Sequence, residues 1–179
     1  MDIYSIKWTK LQASMFSFLS LHARESFSQR DIAKALKVSP TAVGKALSAL
    51  VKEEVVHVEK VKNVHFVSLN VENERVKGLK RAENLHMIYA SGLYEYLHHA
   101  LARGTTILFG EFSQGEDTIE SPIEIAVVGR KEQRLDIGQY EKRIHKKIDV
   151  VFFSSWNEIR GEKRHGIVNG IVLQGSVVV

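Results

Sequence analysis

Two helix-start signals stand eleven residues apart near the beginning of this 179-residue chain. Ser28 precedes Asp31 by three residues, which is the spacing of a capping box. Ser39 and Pro40 form the second signal, because serine caps helix N-termini and proline suits the first helical position. The helix between the two signals must therefore be short. The sequence predicts two short helices joined by a tight turn.

The elements around this pair complete a small domain. Residues 8–21 carry apolar side chains at helical spacing and predict a preceding amphipathic helix. Residues 55–59 and 64–69 are rich in β-branched and aromatic residues and predict a hairpin, whose glycine-free turn leaves the turn type open. The helix that starts at Pro40 is predicted to bury four apolar side chains: Val43, Leu47, Leu50 and Val51.

The positive charge of the chain lies in this first part. Residues 1–70 contain ten lysines and arginines against six acidic residues, whereas residues 71–179 contain fifteen of each. A local basic excess is a weak indication of a polyanionic partner. The chain has no cysteine, so disulfides, thiolate metal sites and a cysteine nucleophile are excluded. Neither a signal peptide nor a membrane-spanning run is recognisable, which predicts a cytoplasmic protein.

Residues 27–50 resemble the winged helix-turn-helix transcription regulators, and the resemblance extends over about residues 8–70. It is carried by the small residue Ala33, by the Val38-Ser39 turn, and by the core pair Leu47 and Leu50. The resemblance implies that the third helix enters the major groove of DNA and that the hairpin, or wing, contacts phosphates.

The predicted DNA contacts fall into three groups. The third helix presents short polar and cationic side chains opposite its apolar face, and its capping serine begins the same surface. The start of the second helix and the wing tip are placed for phosphate contacts. The predicted contact residues are Gln29, Arg30, Ser39, Thr41, Lys45, Ser48, Lys52, Lys60, Lys62 and Asn63. A protein-binding winged helix is the alternative, and the adjacent acids Glu53 and Glu54 leave room for it.

Residues 71–102 are predicted to form one long connecting helix of roughly 45 Å. Its broad apolar face needs a partner. Packing along both flanking domains and pairing with a second copy both remain open.

Residues 103–179 alternate predicted strands with a helix, which indicates a small α/β or α+β domain. Residues 107–129 resemble the core of the minimal nucleotidyltransferase fold, in which a Gly-Ser turn contacts phosphates and two aspartates on a strand hold Mg²⁺. A winged helix joined to such a domain resembles a group of archaeal predicted regulators.

The chain departs from that motif at the positions that carry its chemistry. Gly110 is kept, but Glu111 stands in place of the serine and Pro122 in place of the first aspartate. Glu124 matches the second aspartate, and Asp149 matches a third carboxylate that the family carries on a later strand. We therefore expect a degenerate nucleotide and metal site with no catalytic residues. The neighbouring acids Glu111, Glu116, Asp117 and Glu120 are expected to lie in a solvated loop.

Together these patterns predict an α+β protein with a winged helix-turn-helix at 1–70, a long helix at 71–102 and a small mixed-sheet nucleotidyltransferase-like domain at 103–179. The predicted function is transcription regulation through double-stranded DNA as a homodimer. Dimerisation, sensing of a nucleotide effector or partner binding is the predicted role of the second domain. Two alternatives stay open, an antitoxin-like protein-binding module and a transferase that requires Mg²⁺; no cofactor is expected otherwise.

Overall fold

A computed structural model describes residues 8–177. The chain forms two units, residues 1–76 and 77–179. The described helices are α1 Lys10–Leu21, α2 Gln29–Leu36, α3 Pro40–Lys52, α4 Glu74–Ala90, α5 Leu93–Ala100, α6 Gly110–Gln114, α7 Gly138–Ile144 and α8 Gly161–Val168, with a 3₁₀ turn at Trp156–Glu158. The strands are β1 Ser26–Ser28, β2 Val56–Val61, β3 Val64–Leu69, β4 Thr105–Phe109, β5 Ile123–Val128, β6 Ile148–Phe153 and β7 Ile171–Gln174.

The first unit has the element order of a winged helix. Three helices precede the β2–β3 hairpin, and β1 pairs with β3 to give an antiparallel sheet of order β1-β3-β2. Apolar side chains from α1, α3 and the hairpin fill one core, with Met15, Leu19, Val43, Leu50 and Val67 fully buried. The prediction of a winged helix over this part of the chain is confirmed.

One predicted core residue of this unit is wrong. Val51 is 43% exposed, whereas Val43, Leu47 and Leu50 are buried. On a helix, Val51 lies about 100° from Leu50. The buried face of α3 is therefore narrower than the run of apolar residues at its C-terminal end suggests.

The second unit is built on a mixed sheet of order β6-β5-β4-β7. The strand β4 runs antiparallel to β5 and β7, whereas β5 and β6 are parallel. Both faces are covered: Leu108, Ile125 and Val127 face one apolar cluster, and Ile107 and Ala126 face another. The α+β class is therefore confirmed.

The prediction of one continuous helix through residues 71–102 is wrong. The helix α4 ends at Ala90, and α5 begins at Leu93. Between them Gly92 has a φ of +81°, in the left-handed region that ends helices and favours glycine. Leu93 and Leu97 of α5 belong to the apolar core of the second unit, so the apolar face of α5 packs within that unit.

Within the described part of the chain, no helix combines the length and the apolar character needed to cross a membrane.

The break at Gly92 gives a direct test of this architecture. Gly92→Ala is expected to lower the free energy of unfolding by about 1–2 kcal/mol, because an L-residue at this φ is strained. Gly138→Ala is the control, since Gly138 has no positive φ and no atom lies within 4 Å of an added Cβ. Chemical denaturation of both variants measures the difference. Equal stability of the two variants would contradict the break at this residue.

Candidate nucleic-acid interface

The turn between α2 and α3 is defined by capping on both sides. The Ser28 hydroxyl accepts a hydrogen bond from the Asp31 amide, and the Asp31 side chain accepts one from the Ser28 amide. The helix α2 ends at Lys37, whose φ of +56° is left-handed. The Ser39 hydroxyl then accepts a hydrogen bond from the Ala42 amide at 3.2 Å and starts α3. The two helix-start signals of the sequence therefore act as predicted.

The helix α3 has one apolar face and one exposed polar face. Val43 and Leu50 are fully buried. Thr41, Lys45, Ser48 and Lys52 are all exposed, at the helical spacing that places them on one side. We call these four residues the α3 stripe. Its members are short polar groups or long cations, which suit an approach to DNA base edges and phosphates.

The hairpin β2–β3 forms a regular wing. Lys60 pairs with His65 in the antiparallel register, and Val61 pairs with Val64, so Lys62 and Asn63 form a two-residue turn. Lys62 takes a φ of +56°, which such a turn requires and which glycine usually supplies. Lys60, Lys62 and Asn63 are all exposed. The wing tip therefore presents two cations and an amide to solvent.

A groove of about 590 Å³ lies between the wing and the starts of α2 and α3. It is lined by Ser28, Gln29, Arg30, Asp31, Pro40, Asn63, Val64, His65 and Phe66. The fold thus brings three of the predicted contact residues, Gln29, Arg30 and Asn63, to one concave surface. The α3 stripe, Lys60 and Lys62 do not line this groove.

Glu53 is an acidic residue that disfavours DNA binding, and its carboxylate has two partners within the first unit. Its carboxylate oxygen Oε2 lies 3.3 Å from the guanidinium of Arg75 and accepts a hydrogen bond from the indole of Trp8 at 3.3 Å. Glu54 has a left-handed φ of +55°, and its backbone carbonyl accepts a hydrogen bond from the side-chain Nδ2 of Asn70 at 2.9 Å. The charge on Glu53 is therefore partly balanced within the fold.

The residues of the predicted degenerate site meet at one end of the second sheet. Glu124 on β5 pairs with Asp149 on β6 in the parallel register and with Phe109 on β4. Gly110 follows β4 with a φ of +72°, and a Cβ there would overlap the Glu124 carboxylate. Burial raises the pKa of Glu124, and repulsion from Asp149 and Glu111 raises it further, while Lys163 opposes them. Among residues 8–177, no group of three or more acidic, histidine or cysteine side chains is placed to hold a metal ion.

The expectation that Asp117 lies in a solvated loop is wrong. Asp117 is 1% exposed. It lies among Lys80, Asn84 and Lys146, and we call these four residues the lysine–aspartate cluster. The Lys80 ammonium donates to the Asp117 carboxylate and, at 2.8 Å, to its carbonyl. The Asn84 amide donates to the same carboxylate at 2.6 Å. The Lys146 ammonium lies 3.1 Å from the second carboxylate oxygen.

Two cations in this cluster share one anion. Burial lowers the pKa of Lys80, and the attraction of Asp117 opposes that shift. Lys146 also donates to the carbonyls of Thr118 and Ser121, which fastens the loop before β5. The sequence contains no local signal for this cluster, because its lysines lie on α4 and before β6, far from Asp117 along the chain.

The chain matches no protein-family model and no curated protein. Among solved structures it is similar to the adhesin competence repressor AdcR from Streptococcus pyogenes, with 26% identity, 54% of this chain and 69% of that chain covered, and a TM-score of 0.42. ZitR from Lactococcus lactis has 26% identity, coverages of 54% and 64%, and a TM-score of 0.41. MepR from S. aureus, in complex with DNA, has 18% identity, coverages of 53% and 79%, and a TM-score of 0.39. The matches span about half of this chain.

The charge balance of the lysine–aspartate cluster predicts unequal effects of two substitutions. Asp117→Asn is expected to lower the free energy of unfolding by about 3–5 kcal/mol, because it leaves two buried ammonium groups without a counter-charge. Lys80→Met keeps the volume and leaves one cation with one anion, so a clearly smaller loss is expected. Urea denaturation at neutral pH measures both. A larger loss for Lys80→Met would contradict the assignment of Asp117 as the common counter-ion.

The raised pKa of Glu124 predicts a pH-dependent gain from Glu124→Gln. The folded protein holds the Glu124 proton more tightly than the unfolded chain does, so ionisation of Glu124 costs stability as pH rises through this range. Glu124→Gln is therefore expected to raise the denaturation midpoint at pH 7. The gain should disappear below the pKa of an unfolded glutamate, about 4.3.

The control for this pH dependence is Glu120→Gln, which changes an exposed glutamate in the loop before β5. It should shift the midpoint little at either pH. A gain from Glu124→Gln of the same size at both pH values would contradict the electrostatic cause.

Proposed function

We propose that this protein is a transcription regulator that binds double-stranded DNA through its first unit. The α3 stripe enters the major groove, and the wing tip and Arg30 at the start of α2 contact the flanking phosphates. The observation that carries the proposal is the division of α3 into a buried apolar face and an exposed face of threonine, serine and lysines. Such a face has no role in the core of its own unit.

The groove between wing and helices supports the same proposal. A DNA backbone that follows this groove meets Arg30 at the start of α2 and Asn63 at the wing tip. Backbone amides at the start of a helix favour phosphate, because they are free donors at the positive end of the helix dipole. The basic excess of residues 1–70 adds long-range attraction to the same partner.

We further propose that the protein acts as a homodimer on two half-sites, since a single recognition helix contacts only a few base pairs. For the second unit we propose a nucleotidyltransferase-like fold with a role in dimerisation, in sensing an effector or in partner binding. Pro122 supplies no metal ligand, and Glu111 adds a negative charge where the related motif contacts phosphates. These two residues disfavour nucleotidyl transfer as the function.

Charge reversal on the α3 stripe tests the proposed interface. The operator is first selected from a random duplex library with the whole protein, and affinity is then measured by fluorescence anisotropy across a salt series. Lys45→Glu is expected to weaken binding tenfold or more, about 1.4 kcal/mol, because a phosphate or base contact is replaced by repulsion. Lys45→Met should make the slope of log affinity against log salt concentration shallower by roughly one.

Lys10→Glu is the matched control. It makes the same charge change at the start of α1, a helix that contacts the buried side of α3 through the Gln12 amide and the Ala46 carbonyl. It should change affinity only slightly, through net charge. Equal losses from Lys10→Glu and Lys45→Glu would contradict the placement of α3, and the absence of any sequence-selective binding by the whole protein would contradict the DNA-binding function. A footprint over two half-sites one helical turn apart is the result expected for a dimer.

A further inference from the structure

Gly44 stands within α3, on the edge of the α3 stripe. Residues 41, 44, 45 and 48 follow the three- and four-residue spacing of one helix face. Gly44 takes no positive φ, so its backbone conformation does not call for glycine. Glycine in a helix interior weakens the helix relative to alanine. A glycine at this position therefore has a cost that the helix itself does not repay.

The fold of the first unit also leaves room for a side chain at Gly44. A Cβ placed there would meet one neighbouring atom within 4 Å, the Gln29 Oε1 at 3.6 Å, which is ordinary van der Waals contact. No close packing against another helix requires the glycine. Close approach from outside the protein is a further physical reason for glycine at this half-buried position beside the α3 stripe.

The neighbouring Gln29 points to what approaches. Its Oε1 lies 3.6 Å from the position of a Cβ at Gly44, and within the described residues no hydrogen bond is found for this carboxamide. A carboxamide supplies one acceptor and two donor hydrogens, and in the major groove it can pair with both N6 and N7 of adenine. Gln29 is half-buried and also lines the groove beside the wing, so its position is defined by the fold.

We infer that Gly44 is a specificity-determining position, where the missing side chain lets a base edge of the major groove contact α3 and receive hydrogen bonds from Gln29. This inference rests on the proposed function. It adds to that function a short-range contact that depends on shape and not on charge. The expected signature is a substitution that strengthens the folded protein and weakens its selective binding to DNA.

Gly44→Ala tests the inference with two readouts that should move in opposite directions. The melting temperature should rise by a few degrees, because alanine favours the helix and the fold has room for it. Affinity for the selected duplex should fall about tenfold or more, because the added methyl group separates the helix from the base edge. Affinity for a random duplex, which depends on phosphate contacts, should change little.

Gly78→Ala is the matched control. Gly78 lies in α4, is exposed, and has no atom within 4 Å of an added Cβ. This variant should gain stability in the same way and keep the affinity of the unaltered protein for both duplexes. Any loss of selective affinity in Gly44→Ala but not in Gly78→Ala is then assigned to the α3 surface and not to glycine replacement as such.

Gln29→Ala tests the second half of the inference. It should reduce selectivity at the same base pairs as Gly44→Ala, and the double variant should lose less than the sum of the two single losses, because both act on one contact. Full selective affinity in Gly44→Ala, together with a raised melting temperature, would overturn the inference and leave the proposed function intact. An unaltered protein that prefers no duplex sequence would overturn both.

Discussion

The buried face of α3 is the constraint on which the candidate interface depends. Val43, Leu47 and Leu50 pack into the core of the first unit, and the Gln12 amide of α1 reaches the Ala46 carbonyl from the same side. Burial of each such side chain stabilises the fold by about 1.5–3 kcal/mol, so the helix has one favourable rotation about its axis. That rotation determines which residues face solvent. Thr41, Lys45 and Ser48 are available to a partner because the opposite residues are committed to the core.

Capping fixes the second coordinate of the interface, the position of α3 along its axis. Ser39 and Pro40 begin the helix at a defined residue, and Lys37 ends α2 in the left-handed conformation just before it. The cap hydrogen bond of Ser39 contributes on the order of 1 kcal/mol. A start one residue earlier or later would rotate the α3 stripe by about 100°. The cap hydrogen bond therefore helps the core to determine which residues of α3 form the α3 stripe.

The second unit holds several charged side chains inside or beside its small mixed sheet. Asp117 is buried with Lys80, Lys146 and Asn84, and this set joins α4 to the loop before β5. Glu124 and Asp149 are register neighbours on parallel strands, and burial together with the negative charges of Asp149 and Glu111 raises the pKa of Glu124. In the lysine–aspartate cluster, Asp117 has two cations beside it. Glu124 instead has the carboxylates of Asp149 and Glu111 nearby, and the positive charge of Lys163 offsets part of their effect on its pKa.

Much of the first unit could be predicted from local patterns. The caps at Ser28 and Ser39, the hairpin, and the exposed face of α3 all follow from interactions over three or four residues, which the sequence displays directly. The exposure of Val51 does not follow from local pattern, because an apolar residue at the end of a helix carries no information on how wide the buried face is. The break at Gly92 does not follow either, because a single glycine within a helical pattern is compatible with either continuation or a stop.

Local sequence patterns suffice for the three helices and the hairpin of the first unit, for the start of α3 and for the side of that helix that faces solvent. Three contacts follow only from the tertiary structure. Asp117 is buried between two lysines, and Glu53 contacts Arg75 and Trp8. The Gln29 side chain lies next to Gly44. The physical reason is distance along the chain. Capping and amphipathic spacing act between neighbours, whereas these ion pairs and contacts join residues 15 or more positions apart, and only the packing of the helices and strands brings them together.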